Sequence, residues 1–233
     1  MCIPTTCSSC QSVDSQGMQF DKDMVVSVDA SDIATILHAN PYEERTTLLM
    51  QKVHVSDDAP VKPRSICLSE TDPTVHGMKY EARALELYRK QRGSIVVPTE
   101  TFNHPLYPWI RGRPDGISKI RNAIVEVKCP LTFHPPRLEC IPEMYQHQMQ
   151  AYMSILQRTS CEYVQYDKWN DRIDIMVVQR DPEWLNRVLP SLQLFRDQVY
   201  FYRLEKHRHV LASSHARKTN KTRPTRDEKK VVS

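Results

Sequence analysis

The 233 residues, 40% hydrophobic and 26% charged with only five glycines, suit one well-buried domain better than two small ones. No apolar run approaches the roughly eighteen residues of a membrane span, and no basic-then-apolar leader follows Met1, so the reading excludes a membrane protein and a secreted one and expects a soluble protein of the cytoplasm or nucleus. The net charge of +4 sits at one end: nine Lys/Arg against two Asp/Glu from Lys206 to Ser233 make that stretch +7 and residues 1–205 −3, so the body is no polycation.

The chain opens on a polar stretch expected to be a flexible N-terminal segment over residues 1–24. Its "CSSC" (Cys7, Cys10) has the spacing of half a zinc site. No second close pair follows, and the seven cysteines form no disulfide framework, so reduced thiols and no zinc are expected. After the apolar stretch "MVVSV", Ser31 is an N-cap candidate for a helix over "DIATILHA", which should stop before "NPY" because a residue preceding Pro disfavours the helical region. "EERTTLLMQKV" reads as a second helix, followed by a polar loop from about Ser56 to Pro63. "DPTVHGMKYEARALELYRKQRG" is the clearest helix, with Ala82, Leu85, Leu87 and Tyr88 as its apolar stripe and Gly93 as its stop.

"SIVVPTE" reads as a strand, and "WIRGRPDGISKI" with "AIVEVK" as a hairpin pair. The alternation of "AIVEVK" sends Ile124, Glu126 and Lys128 to one face and Val125, Val127 and Cys129 to the other. A Pro-rich loop leads to a helix, "EMYQHQMQAYMSILQ", on which Met149, Met153 and Leu156 share a core face while Tyr145, Gln148 and Tyr152 share another. Strands "CEYVQYDKWN" and "RIDIMVVQ" follow, joined at Asn170 and Asp171, then a long helix capped by Asp181 with Pro182 at its first position, running to about Lys206. The fold expected is α/β, a mixed sheet flanked by helices in one domain over 25–206, ahead of a basic disordered tail at 207–233. That tail holds nucleic acid loosely, directs nuclear import or merely solubilises.

Asp115 and Glu126, on neighbouring strands, are two carboxylates near enough to share a hard cation, which takes oxygen ligands and keeps several waters. Lys128, on the face of Glu126, can offset charge that develops on a phosphate. A Glu-x-Lys alone would read as a solvated cross-strand pair; the Pro-Asp-Gly upstream changes that. "RPDG…VEVK" resembles the PD-(D/E)xK nuclease signature. Further segments resemble the lambda-exonuclease-like, YqaJ-type viral recombinase branch, related to the RecB nuclease domain: "ASDIATILHANPYEERTTLL", the Gly-x-x-x-Glu of "HGMKYEARAL", and the Pro-x-x-Tyr-x-x-Gln-x-Gln of "IPEMYQHQMQAYM". The likeness covers roughly residues 25–205 in the family's order.

The resemblance implies a restriction-endonuclease-like core and a Mg²⁺-dependent exonuclease, with Mn²⁺ as substitute, resecting duplex DNA ends for viral or phage-type recombination. It implies Asp115, Glu126 and the Val127 carbonyl as metal ligands, Lys128 as catalytic, Glu81 as a third carboxylate, and Gln148 facing the site. Tyr152 belongs to the same motif or to plain packing. Ser31 is at the position that meets the terminal phosphate, or is a simple helix cap; the family's upstream Arg is missing, with only Lys22 nearby. Arg111 and Arg113 flank the turn and would hold the phosphate backbone without reading sequence. His104 and His134 are loop histidines without metal-ligand spacing. A single-strand annealing protein and a ring-like homotrimer are further implications. The same core also serves structure-specific endonucleases and RNA-acting nucleases; an inactive DNA-binding protein fits less well, since Asp, Glu and Lys are all intact.

Overall fold

The computed structural model describes residues 25–54, 73–134 and 140–221, without the side chains of 73–74 and 210–221. The N-terminal segment with its "CSSC" and Lys22, the Ser56–Pro63 loop, and the last part of the basic tail lie outside the described residues. Eight strands and five helices form the described fold. Strand β1 (Val28–Asp29), β3 (Phe102–Asn103) and β4 (Ile110–Gly112) make a small sheet in the order β1-β4-β3. Strands β2 (Val96–Val97), β5 (Gly116–Ser118), β6 (Ala123–Lys128), β7 (Ser160–Asp167) and β8 (Arg172–Gln179) make the main sheet in that order. It is mixed: β6 runs parallel to β7 and its other pairings are antiparallel. A parallel neighbour needs a crossover, and helix α4 (Glu143–Ile155) lies in that connection.

The alternation expected for β6 is what packs the two faces. Val125, Val127 and Cys129 join Val164, Tyr166 and Ile173 under Ala84 and Tyr88 of helix α3 (Pro73–Arg92). Ile124, on the opposite face, joins Cys161 and Tyr163 under Met149 and Met153 of α4 and the 188-192-195-199 stripe of helix α5 (Trp184–Lys221). Each Val, Ile, Leu, Met or Phe side chain so withdrawn from water contributes about 1.5–3 kcal/mol. Helix α1 (Ile33–Ile36) is buried throughout, and helix α2 (Arg45–His54) packs on α5. Among the described residues no helix is long and apolar enough to cross a membrane.

Four expectations are corrected. The segments around "RPDG" do not form one hairpin with β6: β4 belongs to the small sheet, and only β5 pairs with β6. The Arg113–Asp115 bend carries the chain from one sheet to the other. Ser31 is not the helix cap; Asp32 occupies that position without a capping bond into α1, its carboxylate instead accepting from the Asp29 N–H at 3.0 Å. Ala84, not Ala82, faces the core of α3, since it stands one turn from Tyr88. Helix α5 runs on through 207–221, because "HRHVLASSHARK" contains neither Gly nor Pro and is rich in good helix formers. The hairpin from β7 to β8 forms as expected, Asp171 taking a left-handed φ of 47° in its turn. Asp181 caps the start of α5 by accepting from the Glu183 N–H at 3.0 Å.

Candidate active site

A cleft of about 560 Å³ opens where β6 emerges between the two sheets, α3 and α4. Glu81, Arg113, Asp115, Glu126, Val127, Lys128, Gln148, Tyr152 and Ser31 all line it, so elements more than a hundred residues apart converge as the sequence implied. Arg111 does not line it: its Nε donates to Asp29 Oδ1 at 2.6 Å. Asp29 also pairs with Lys52 at 2.8 Å, and Lys52 with Asp32 at 2.7 Å. Behind Ser31, two cations thus meet two carboxylates. Lysine 52 sits a helix away from Ser31 in sequence, and nothing in the local pattern marks it.

Asp115 reaches across from the end of the bend, its Oδ2 accepting from the Val127 N–H at 2.7 Å. This fixes the carboxylate against β6. The bend is itself held by Thr99, whose hydroxyl donates to the Pro114 carbonyl. Glu126 is 2% exposed. Its Oε1 accepts from Lys128 Nζ at 2.6 Å, while its Oε2 is buried with no hydrogen-bond partner. Burial, then the charge of Asp115, raises the Glu126 pKa to about 7, against the pull of Lys128. Asp115 is raised too, by burial, partly offset by the Val127 N–H and Lys128. Glu81 is raised by burial and then by the charge of Asp115. The charge of Asp115 therefore opposes ionisation of Glu126 and Glu81, while a side-chain hydrogen bond with Glu126 favours ionisation of Asp115 itself.

Burial works against the Lys128 ammonium, but the charges of Glu126 and Asp115 outweigh it and hold its pKa above the ordinary lysine value. Lys128 stands 4.7 Å from the Tyr145 ring centroid and donates to Gln148 Oε1 at 3.2 Å. Gln148 Nε2 donates to the Tyr152 hydroxyl at 2.8 Å, and that hydroxyl to the Arg113 carbonyl at 3.2 Å. The helix motif thus becomes a relay that holds Lys128 and ties α4 to the bend. Tyr152 is 4% exposed, its hydroxyl pKa raised by burial and the Glu126 charge, so it stays a neutral donor. Gly112 is needed beside it, since a Cβ there would lie 2.7 Å from the Tyr152 ring. Tyr145, which the sequence places on the face of Gln148 and Tyr152 without a site role, and Thr99, which the sequence does not mark, both shape the site. The spacing of three from Gln148 is the signal for Tyr145; Thr99 has none, because its role depends on how the chain crosses between the sheets.

The loop histidines stay out of the site. His104 accepts the Leu106 and Tyr107 N–H groups and pairs with Ser154, and His134 offers its carbonyl to Gln165. The Cys129 thiol, at the cleft wall, is pushed up to about 12 by burial, which disfavours its thiolate. Among the described residues no group of three His, Cys, Asp or Glu is placed to hold a metal ion. The donors present nevertheless fit a hard cation: the orphaned Glu126 Oε2, Asp115 and main-chain oxygen are an all-oxygen set.

The YqaJ-like viral recombinase domain matches residues 22–162. The chain belongs to that family. The match spans the cleft from Ser31 to Tyr152 and ends at the start of β7. None of the curated proteins matches closely enough to count as a relative. Among solved structures, the fold of this YqaJ-like chain is similar to an alkaline exonuclease (LHK-Exo) from Laribacter hongkongensis, with a TM-score of 0.67 at 18% identity, over 81% of this chain and 95% of that one. The same exonuclease in complex with dAMP gives 0.64 at 19%, over 81% and 95%. A phage related exonuclease from Haemophilus somnus 129PT gives 0.55 at 16%, over 79% and 96%. These likenesses show the lambda-exonuclease-like PD-(D/E)xK fold.

Proposed function

We propose that this chain is a divalent-metal-dependent deoxyribonuclease that resects duplex DNA ends in phage-type recombination. The observation that carries the reading is the Glu126 carboxylate, buried beside Asp115 and Lys128 with one oxygen left without a partner. Leaving a buried carboxylate oxygen without a donor costs about 1–3 kcal/mol or more, a cost that a bound cation would offset.

Asp115, Glu126 and the Val127 carbonyl would hold Mg²⁺, with Mn²⁺ as substitute, which supplies Lewis-acid charge at a phosphate. The chain's own groups do the rest. Hydrolysis adds a water oxygen to phosphorus, expels a sugar oxygen and builds negative charge on the phosphate. Lys128 has three N–H donors and spends two on Glu126 and Gln148, which leaves one for that charge. The Gln148–Tyr152 relay keeps the ammonium in place, so no reorganisation is needed as charge develops. Arg113, exposed at the rim, positions the backbone, and Glu81 orients water on the α3 side. Ser31, exposed at the mouth, is placed to meet the end of the strand.

The test compares linear duplex with nicked and covalently closed circles, with and without Mg²⁺, on 5′-phosphorylated and 5′-hydroxyl ends. Linear DNA should be degraded from its ends only when metal is present, and circles spared. Cutting of circles at the linear rate, or cleavage indifferent to chelator, would overturn the reading.

A further inference from the structure

A second cavity, of about 350 Å³, adjoins the cleft and shares Tyr145 with it as a common wall. Its other walls are His38, Pro41 and Tyr42 from the turn after α1, and Pro142 and Met144 from the start of α4. We propose that this cavity is a subsite for the nucleobase next to the scissile phosphate. The proposal rests on the nuclease reading above and adds a recognition element to it.

The lining argues for a base and against a phosphate. Among the described residues no Lys or Arg lines it, and its one acid, Glu143, faces His147 at 3.4 Å. What remains is proline edges, a thioether and two phenol rings, flat or polarisable surfaces on which any base can stack. The volume is at the lower end of the roughly 300–1,000 Å³ of small-molecule sites, suited to one flat ring system. The location argues for a neighbour of the cut. Lys128 Nζ stands 4.7 Å from the Tyr145 ring centroid, so one ring separates the ammonium that meets the phosphate from the room beyond it.

The site is built in advance. His38 takes a φ of 61°, which turns the chain sharply out of α1. Asn40 then accepts from the Tyr42 N–H at 3.0 Å and donates to Thr35 Oγ1 at 2.8 Å, and Thr35 donates to Glu43 at 3.3 Å. This turn holds Tyr42 while leaving its ring 84% exposed. An exposed aromatic on a pinned turn, lining a cavity that shares Tyr145 with the cleft, has no packing role to explain it.

The experiment uses the full chain with Mg²⁺, linear duplexes carrying one abasic residue at each of the first four positions of the cut strand in turn, and an aryl ester of a nucleoside monophosphate that has no neighbouring base. Wild type and Tyr42→Trp should show a KM raised about tenfold by an abasic residue at one position, the scale of one lost stacked base. Tyr42→Ala should lose that sensitivity, keep kcat, and cleave the aryl ester as wild type does. A wild type indifferent to every abasic position, or a Tyr42→Ala variant with the wild-type profile, would overturn the subsite. A Tyr42→Ala variant that sediments differently with an unchanged abasic profile would assign the cavity to a second copy, and likewise overturns it. A wild type that cleaves the aryl ester but no duplex would reject duplex DNA as substrate and this subsite with it; one that cleaves nothing removes the nuclease reading itself.

Discussion

Two glutamates lie on adjacent strands, Glu126 on β6 and Glu162 on β7, both almost fully buried and on opposite faces of the same sheet. Glu162 is saturated: Arg121 donates to its Oε1 at 2.6 Å, the Tyr88 hydroxyl donates to Oε2, and Arg92 stands 3.7 Å away. Glu126 has one lysine, an Oε2 that no donor reaches, and the Asp115 carboxyl beside it. Both cost desolvation, but only the first recovers it within the fold. The contrast separates a carboxylate that ties α3 to the sheet from one that, in the reading proposed above, would hold a cation.

Substitution should break this comparison cleanly. Glu126→Gln keeps the shape and removes the charge, so cleavage should fall more than about a thousandfold while folding and DNA affinity, which rests on phosphate contacts elsewhere, stay near wild type. A gel-based cleavage series with a parallel binding titration checks both halves. Lys128→Ala should cost on the order of 2–4 kcal/mol in transition-state stabilisation, a rate loss of tens- to about a thousandfold. Raising Mg²⁺ should not restore it; full restoration would leave Lys128 only an electrostatic role at the cation.

Glu162→Ala should do the reverse. It removes the acceptor of Tyr88 and the partner of two partly exposed arginines that can turn to water, and should destabilise by about 1–3 kcal/mol in a urea melt, with turnover per folded molecule unchanged. Glu126 also carries a pH response. With its pKa raised from 4.5 to about 7 in the fold, Glu126 keeps a proton that the unfolded chain has given up. Metal-free stability from this group is thus full below about pH 4.5 and is lost as pH rises through 7, by roughly 3 kcal/mol at most. Melting curves in chelator should show that fall in wild type and a flatter profile in Glu126→Gln.

The faces of β6 were legible in the sequence, because a period of two with a Glu and a Lys among branched aliphatics permits only one arrangement. The order of motifs brought Glu81, Asp115, Gln148 and Tyr152 to one cleft for the same reason that the fold was recognisable: each motif sits on its own element, and the topology supplies the rest. Pairing was not legible. Ile110–Gly112 has the pattern of a strand, but which sheet receives it depends on β1, eighty residues earlier. Ser31 could not be told from a cap, since a Ser before a helix reads alike whether or not its hydroxyl is used. The Lys two residues on marks Glu126 and is missing after Glu162, but no local pattern shows Glu162 to be structural. Each is a Glu within a strand, and only the partners brought by α3 and the loop at Arg121 make one structural.

The central claim is that the unpartnered oxygen of Glu126 is the seat of a cation, and calorimetric titration of Mg²⁺ into the DNA-free protein at pH 8 tests it most directly. Wild type and Glu162→Gln, the latter under conditions where it is folded, should bind Mg²⁺ with the same stoichiometry, and Glu126→Gln should lose most of the heat and at least tenfold in affinity. Equal binding by Glu126→Gln and wild type would contradict the account, because the buried carboxylate would then have no ligand to explain it.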